Sequence, residues 1–227
     1  MTSPPPDHAT PRSGSDHATP RSGPDPLHAA HGDPGAARSG SGPLEPRPLR
    51  LFVALDLPDA ARDVLAALGA AADPDVWRPV APAALHVTLA FLGPRPPGDV
   101  AAIEPIVSAE AGAPAPALAL GPILLLPPRR ARVLTVALDD PSGALAALQA
   151  RLSAALAAAG VYTPEKRPFR AHVTVARLRP RARPPRAVAL DPEPLSFSGR
   201  AVTLYASRLH PTGARYEPLA TASLDDS

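Results

Sequence analysis

Two stretches decide the reading of this chain: Leu85-His86-Val87-Thr88-Leu89-Ala90-Phe91-Leu92-Gly93 and Arg170-Ala171-His172-Val173-Thr174-Val175-Ala176-Arg177. Each sets a His two residues before a Thr inside an aliphatic run of strand length and composition. Side chains alternate across a strand. His86 and Thr88 therefore share one face, with Val87 and Leu89 on the other; His172 and Thr174 share a face against Val173 and Val175. A single His on a half-buried strand is ordinarily a hydrogen-bonded structural residue. The same imidazole–hydroxyl pair on two strands, 86 positions apart, is not what core packing alone would select.

Around these strands the pattern is α+β. Leu51 to Leu55 is a compact apolar run closed by Asp56-Leu57-Pro58 and reads as a buried strand. Asp59 to Ala72 reads as a helix beginning at Pro58 or Asp59. A second helix is expected from Gly98 to Glu110, although Pro105 falls inside it. Residues 117–126 and 132–138 are apolar runs separated by Pro127-Pro128-Arg129-Arg130, as a hairpin connection would be. Ser142 to Ala159 is the clearest helix, with Ser142 as N-cap and Gly160 at its end. Strands follow at 171–178, 195–206 and 215–223. Hairpin connections and few helices favour antiparallel pairing. Trp77 is expected in the core, and His210, before Pro211-Thr212-Gly213, reads as a turn residue.

Residues 1–48 are rich in Pro, Gly, Ser, Asp and His and lack an apolar face, so they read as a disordered tail. An octapeptide, Asp7 to Gly14, recurs there as Asp16 to Gly23. The domain proper is expected to span 49–227. The chain has no cysteine, which rules out disulfides, thiolate zinc sites and a cysteine nucleophile. No apolar run reaches the roughly 18 residues needed to cross a bilayer, and no secretory signal is visible, so a cytoplasmic protein is expected. Of 23 basic residues only Lys166 is a lysine, and prolines number 34; a GC-rich genome accounts for both, so single Arg and Pro residues carry little weight.

Two imidazoles suit one kind of chemistry in particular. Opening a cyclic phosphodiester needs a base to take a proton from water and an acid to protonate the departing ribose oxygen. Histidine titrates near neutrality and serves for either. Two Thr hydroxyls can donate to the non-bridging phosphate oxygens and fix the phosphorus between the rings. No metal or other cofactor is called for: neither motif offers a second His or a carboxylate at ligand spacing.

The twin His-x-Thr-x motifs resemble those of the 2H phosphoesterases, and the flanking words are closer still to the bacterial RNA 2′,3′-cyclic phosphodiesterases, also called 2′-5′ RNA ligases. Arg50 to Pro58 looks like that family's opening strand, Val202 to Ser207 and Arg215 to Leu219 like its C-terminal strands, and the likeness runs in order over about 49–224. It implies a bilobal α+β fold: two antiparallel sheets with outer helices around a central cleft, related by a pseudo-twofold. It implies catalysis by His86 and His172, phosphate binding by Thr88, Thr174 and Arg177, and an aromatic near the nucleobase at Phe52. Ala171 stands where the family usually has Pro. Arg177 poses a difficulty of parity: five residues beyond His172, it falls on the opposite face unless the strand is bent or bulged.

The expected activity is hydrolysis of a 2′,3′-cyclic phosphate on RNA or a nucleotide to a 2′-phosphate, with 2′-5′ ligation as its reverse. Two alternatives stand beside it: a 2H enzyme acting on another nucleotide phosphodiester, and a non-catalytic module that binds RNA ends. Residues 165–186 hold eight cations, Lys166 and seven arginines, against Glu165; the cluster is either a guide for RNA phosphates or a solvated Pro-Arg loop. A monomer is expected, since no element advertises an interface.

Overall fold

A computed structural model describes residues 47–210 and 213–225. The tail expected over 1–48 lies, up to residue 46, outside the described residues, as does the segment Pro211-Thr212 after His210. The backbone of His210 is the last of a strand.

The elements run β1 (Leu49–Asp56), α1 (Asp59–Ala71), β2 (Trp77–Pro79), β3 (His86–Arg95), α2 (Val100–Ser108), β4 (Ala117–Leu126), β5 (Val133–Asp139), α3 (Ala144–Ala158), β6 (His172–Leu178), β7 (Ser196–Ser198), β8 (Ala201–His210) and β9 (Gly213–Ser223). All strand pairs are antiparallel, in the order β7-β4-β5-β6-β3-β1-β8-β9, with β2 added to β6. The sheet is two halves, β3-β1-β8-β9 and β7-β4-β5-β6, joined through one residue pair, Val87 with Val173. Each motif strand is therefore innermost in its own half, which is the expected bilobal, pseudo-twofold arrangement.

The expected strand over 195–206 is two strands. The chain breaks at Gly199 and Arg200, whose amides donate to the carbonyls of Pro116 and Asp56; a Cβ on Gly199 would lie 2.8 Å from the Leu55 side chain. β2 is too short to show a period in sequence, and its Trp77 is buried as expected, at 1% exposure. Pro105 is tolerated inside α2 because both it and Ala101, whose carbonyl it leaves unpaired, face solvent. At α3 the cap differs slightly from the expected one. Gly143 holds the N-cap position at φ +71°, while Ser142 Oγ and Asp140 Oδ2 accept the free amides of Ala144 and Ala146 at 3.3 and 2.9 Å.

Two of the helices cross between halves, while α2 packs on β8 and β9 of its own half. α1 follows β1 yet packs on β6 and β2, and α3 follows β5 yet packs on β3. Its leucines 145, 148, 152 and 156 are all buried, and together with the inner faces of both halves they form a single hydrophobic core. Each crossing helix meets its motif strand at a bulge. In β3 the register against β1 jumps between Thr88 and Ala90, leaving Leu89 as the extra residue. In β6 the register against β5 jumps between Thr174 and Ala176, leaving Val175 extra. A bulge frees a carbonyl from the ladder. The Val175 carbonyl is taken by the amide of Val80 at 2.9 Å, and the Leu89 carbonyl by Gln149 Nε2 of α3 at 3.2 Å.

The bulge on β6 also sets the identity of a helical residue. A Cβ at Gly69 of α1 would sit 2.5 Å from the Val175 carbonyl oxygen, a contact no real Cβ makes. In an open helix Gly→Ala gains about 1 kcal/mol in propensity, whereas forcing a group into a filled space costs about 1–3 kcal/mol. Here backbone is the obstacle and cannot swing aside, so the cost wins. Gly69→Ala is expected to lower the thermal midpoint by a few degrees in a calorimetric scan; a raised midpoint would show that α1 can lift from the bulge freely.

Candidate active site

The two motif strands carry the same sequence of environments. From His86 to Leu92 and from His172 to Leu178, the first and third residues are half-buried, the second, fourth and fifth buried, and the sixth exposed. Val87 and Val173, at the seam, are 1% and 0% exposed and anchor the strands from below. Antiparallel pairing at these valines turns Thr88 toward His172 and His86 toward Thr174. The four polar side chains thus form a diamond on one face, across a gap of one strand spacing, about 4.8 Å.

Both rings are anchored alike. His86 Nδ1 lies 2.8 Å from the carbonyl oxygen of Ala84, and His172 Nδ1 lies 2.7 Å from that of Arg170. A carbonyl only accepts, so each Nδ1 carries the hydrogen and each Nε2 is left for chemistry. His86 Nε2 is 3.1 Å from Thr88 Oγ1. When the ring is neutral the hydroxyl donates to Nε2; when the ring is charged Nε2 donates.

The bulge after Thr174 resolves the parity of Arg177. Against β5, the pairs are His172 with Ala137, Thr174 with Thr135 and Arg177 with Val133. Residues 133, 135 and 137 share a face, so Arg177 shares it with His172 and Thr174. The matching bulge in β3 brings Phe91, the counterpart of Arg177, onto the face of His86 and Thr88. Phe91 is 44% exposed, with the Arg50 guanidinium 4.9 Å from its ring centroid.

Phe52, expected near a nucleobase, shares the face of His86 and Thr88 but is enclosed by other rings. It is 4% exposed, stacked on Tyr205 with centroids 5.3 Å apart and edge-on to Tyr216 at 4.9 Å. Its ring is 4.9 Å from that of His86, and Tyr216 stands edge-on to His86 at 5.3 Å. These aromatics wall in the imidazole, leaving Phe91 as the open aromatic on this face. Burial pushes the His86 pKa below the usual imidazole value; the Ala84 carbonyl and the Asp56 carboxylate push it back up, and the charges of Arg177 and His172 push it further down. Tyr205, half-buried and donating to Asp56 at 2.8 Å, is pushed up to about 12, first by desolvation and then by the Asp56 charge, and stays a donor. The alternation Arg50, Phe52, Ala54, Asp56 along β1 was the available signal for this wall, obscured because the strand's other face is equally apolar.

A cleft of about 880 Å³ opens beside Thr88 and His172, lined among others by Phe91, Gln149, Tyr162, Phe169 and three arginines, Arg132, Arg167 and Arg170. The basic cluster over 165–186 therefore divides. Arg167 and Arg170 face the cleft and Arg177 shares the face of the motif residues, whereas Arg179 Nε donates to the Pro74 carbonyl at 2.6 Å and Arg183 lines a separate hollow beside Trp77. Among the described residues no three His, Asp or Glu side chains gather into a group able to hold a metal ion, and no helix is long and apolar enough to cross a membrane.

In the free protein His86 is expected to titrate below 6.5, followed by its ring protons in NMR, and to move upward when inorganic phosphate fills the diamond. The unfolded chain takes this proton more readily, so the stability His86 gives is whole above its unfolded pKa and is lost as pH falls through the folded one. A midpoint at or above 6.5 in the free protein would mean the aromatic wall does not desolvate the ring.

Comparison with known proteins agrees with this geometry. Residues 51–211, more than half of the chain, match the family model of the 2′-5′ RNA ligase superfamily. Among solved structures, Escherichia coli LigT complexed with 3′-AMP is 30% identical, with a TM-score of 0.67, over 79% of this chain and 99% of that one. A structure described as a phosphoesterase is 31% identical with a TM-score of 0.66, over 79% and 99%. A Thermus thermophilus protein, TT0787, is 27% identical with a TM-score of 0.64, over 78% and 99%. No curated protein sequence matches significantly. With its twin motifs, its LigT-like fold and this match, the chain belongs to the 2′-5′ RNA ligase superfamily, a group of 2H phosphoesterases.

Proposed function

We propose that the chain hydrolyses a 2′,3′-cyclic phosphate at the end of RNA or on a nucleotide, leaving a 2′-phosphate, by acid–base catalysis between His86 and His172. The observation that carries this reading is the matched pair of imidazoles. Each is fixed through Nδ1 to the carbonyl two residues back, each offers Nε2 on the same face, and one strand spacing separates their strands. A phosphate between them meets a base on one side and an acid on the other. As water attacks phosphorus, one Nε2 takes its proton, the bond from phosphorus to the 3′-oxygen breaks, and the other Nε2–H protonates that oxygen. Thr88, Thr174 and Arg177 hold the non-bridging oxygens, and the Arg fork suits their geometry. With the 5′-hydroxyl of a second RNA end attacking phosphorus in place of water, the same proton transfers and the same loss of the 3′-oxygen would form a 2′-5′ phosphodiester, which is ligation.

The cleft supports a nucleotide substrate. Its volume exceeds that of one nucleoside, Phe91 offers an open ring for stacking, and its arginines outnumber Glu165. Phe91, rather than Phe52, is thus our candidate for the base. Because LigT is also solved with ATP and with NADP⁺, action on another nucleotide phosphodiester is the second reading.

The test is RNA ending in a 2′,3′-cyclic phosphate, incubated with the protein in excess EDTA, with the product identified by phosphate position. A 2′-phosphate is expected, with a bell-shaped pH–rate profile. His86→Ala and His172→Ala should each lose about 10²–10⁴-fold in kcat, and Thr88→Val and Thr174→Val roughly 10–100-fold, the worth of a hydrogen bond to a charged group. RNA bound but uncleaved would favour an end-binding module; cleavage stopped by EDTA would overturn the two-histidine scheme; turnover only of other nucleotide phosphodiesters would favour the second reading.

A further inference from the structure

The pseudo-twofold makes the two histidines equivalent in backbone, anchoring and neighbouring Thr, yet an acid–base pair must work unequally. The cross-strand neighbours differ. Opposite His172, β5 places Ala137. Opposite His86, β1 places Asp56, and directly paired residues point to the same face. The Asp56 carboxylate is also built in: Tyr205 donates to Oδ1 at 2.8 Å and Thr203 to Oδ2 at 2.7 Å, both from β8. Two donors from a third strand hold a negative charge beside one ring, whereas the residue paired with the other ring is an alanine.

We propose that Asp56 is a positioning residue for His86, a fixed carboxylate that keeps this buried imidazole able to carry a proton and so gives the twofold-related pair its polarity. The proposal rests on the acid–base reading above. His86 is walled by Phe52 and Tyr216, and such an enclosure disfavours a charged ring. The ionisable groups facing it are Asp56 from β1, Tyr205 from β8, Tyr216 from β9, and His172 and Arg177 from β6. The two other cations oppose a proton on His86 and Tyr205 stays neutral, so among these ionisable groups Asp56 is the one that favours the charge, beside the Ala84 carbonyl on Nδ1. Arg62 of α1 adds a positive charge that acts on Tyr205. Without Asp56, only the Ala84 carbonyl opposes burial and the two cations, and the ring holds a proton less readily.

The experiment follows both ring titrations by NMR in the full chain, with pH–rate profiles on cyclic-phosphate RNA. In Asp56→Asn, which keeps the shape, the His86 midpoint should move to lower pH and leave that of His172 in place. The limb of the profile belonging to His86 should move with it, and kcat at neutral pH should fall about tenfold, well short of the loss on removing a general acid or base outright, with KM changed less. Ala137→Asp sets a carboxylate opposite the other ring and should raise the midpoint of His172 alone, which tests the idea even if Asp56→Asn folds poorly. An unmoved His86 in Asp56→Asn, or equal shifts of both rings in either variant, would overturn the proposal. The selective titration shifts without any hydrolysis would uphold the role of Asp56 and overturn the substrate reading instead.

Discussion

Two half-sheets meet in this protein along a seam one residue pair long, Val87 with Val173, and the active face exists because the seam is so short. A longer ladder would close the strands together and bring side chains from the two halves into ordinary cross-strand contact. A single pair lets them diverge at once and leaves a trough between two His-x-Thr pairs. The valines supply buried packing below and nothing above. Antiparallel pairing at one point also makes the trough pseudo-twofold, so whatever one strand offers, the other offers from the opposite side.

The bulges at Leu89 and Val175 are the second constraint. They restore to the active face a residue that strict alternation would send into the core, Phe91 on one strand and Arg177 on the other. They also free a carbonyl on each strand, which a crossing element then satisfies. Backbone irregularity, helix position and site composition are thus one device used twice. A bulge on a motif strand without its partner amide would leave a buried carbonyl unpaired, at a cost of about 1–3 kcal/mol.

Symmetry of backbone does not extend to chemistry. The trough carries an aromatic ring at Phe91 where its counterpart carries a guanidinium at Arg177, and a carboxylate at Asp56 where its counterpart is Ala137. A phosphate bound between identical halves would have no preferred direction. These two substitutions distinguish an apolar side, suited to a base, from a cationic side suited to phosphate. The arginines of the adjoining cleft, Arg132, Arg167 and Arg170, extend the positive field in the direction that a polyanion would take.

How far the chain could be read without its structure follows from what each feature depends on. Strand and helix identities, the shared faces of His86 with Thr88 and of His172 with Thr174, and the buried Trp77 depend on local period and composition, and those were legible. The break at Gly199-Arg200 was not, because it is set by Leu55 and Asp56, far away along the chain. The facing of Arg177 required a bulge that only register against β5 defines. Phe52 looked available in a strand that is apolar on both faces; three rings from β3, β8 and β9 bury it. Sequence by itself determined which residue types could do acid–base chemistry, since a His-x-Thr pair on a strand has only one way to point. Tertiary structure alone decided which groups surround each imidazole, because those neighbours come from strands distant along the chain, and a ring's readiness to hold a proton depends on charge and solvent within a few ångströms, not on its neighbours in sequence.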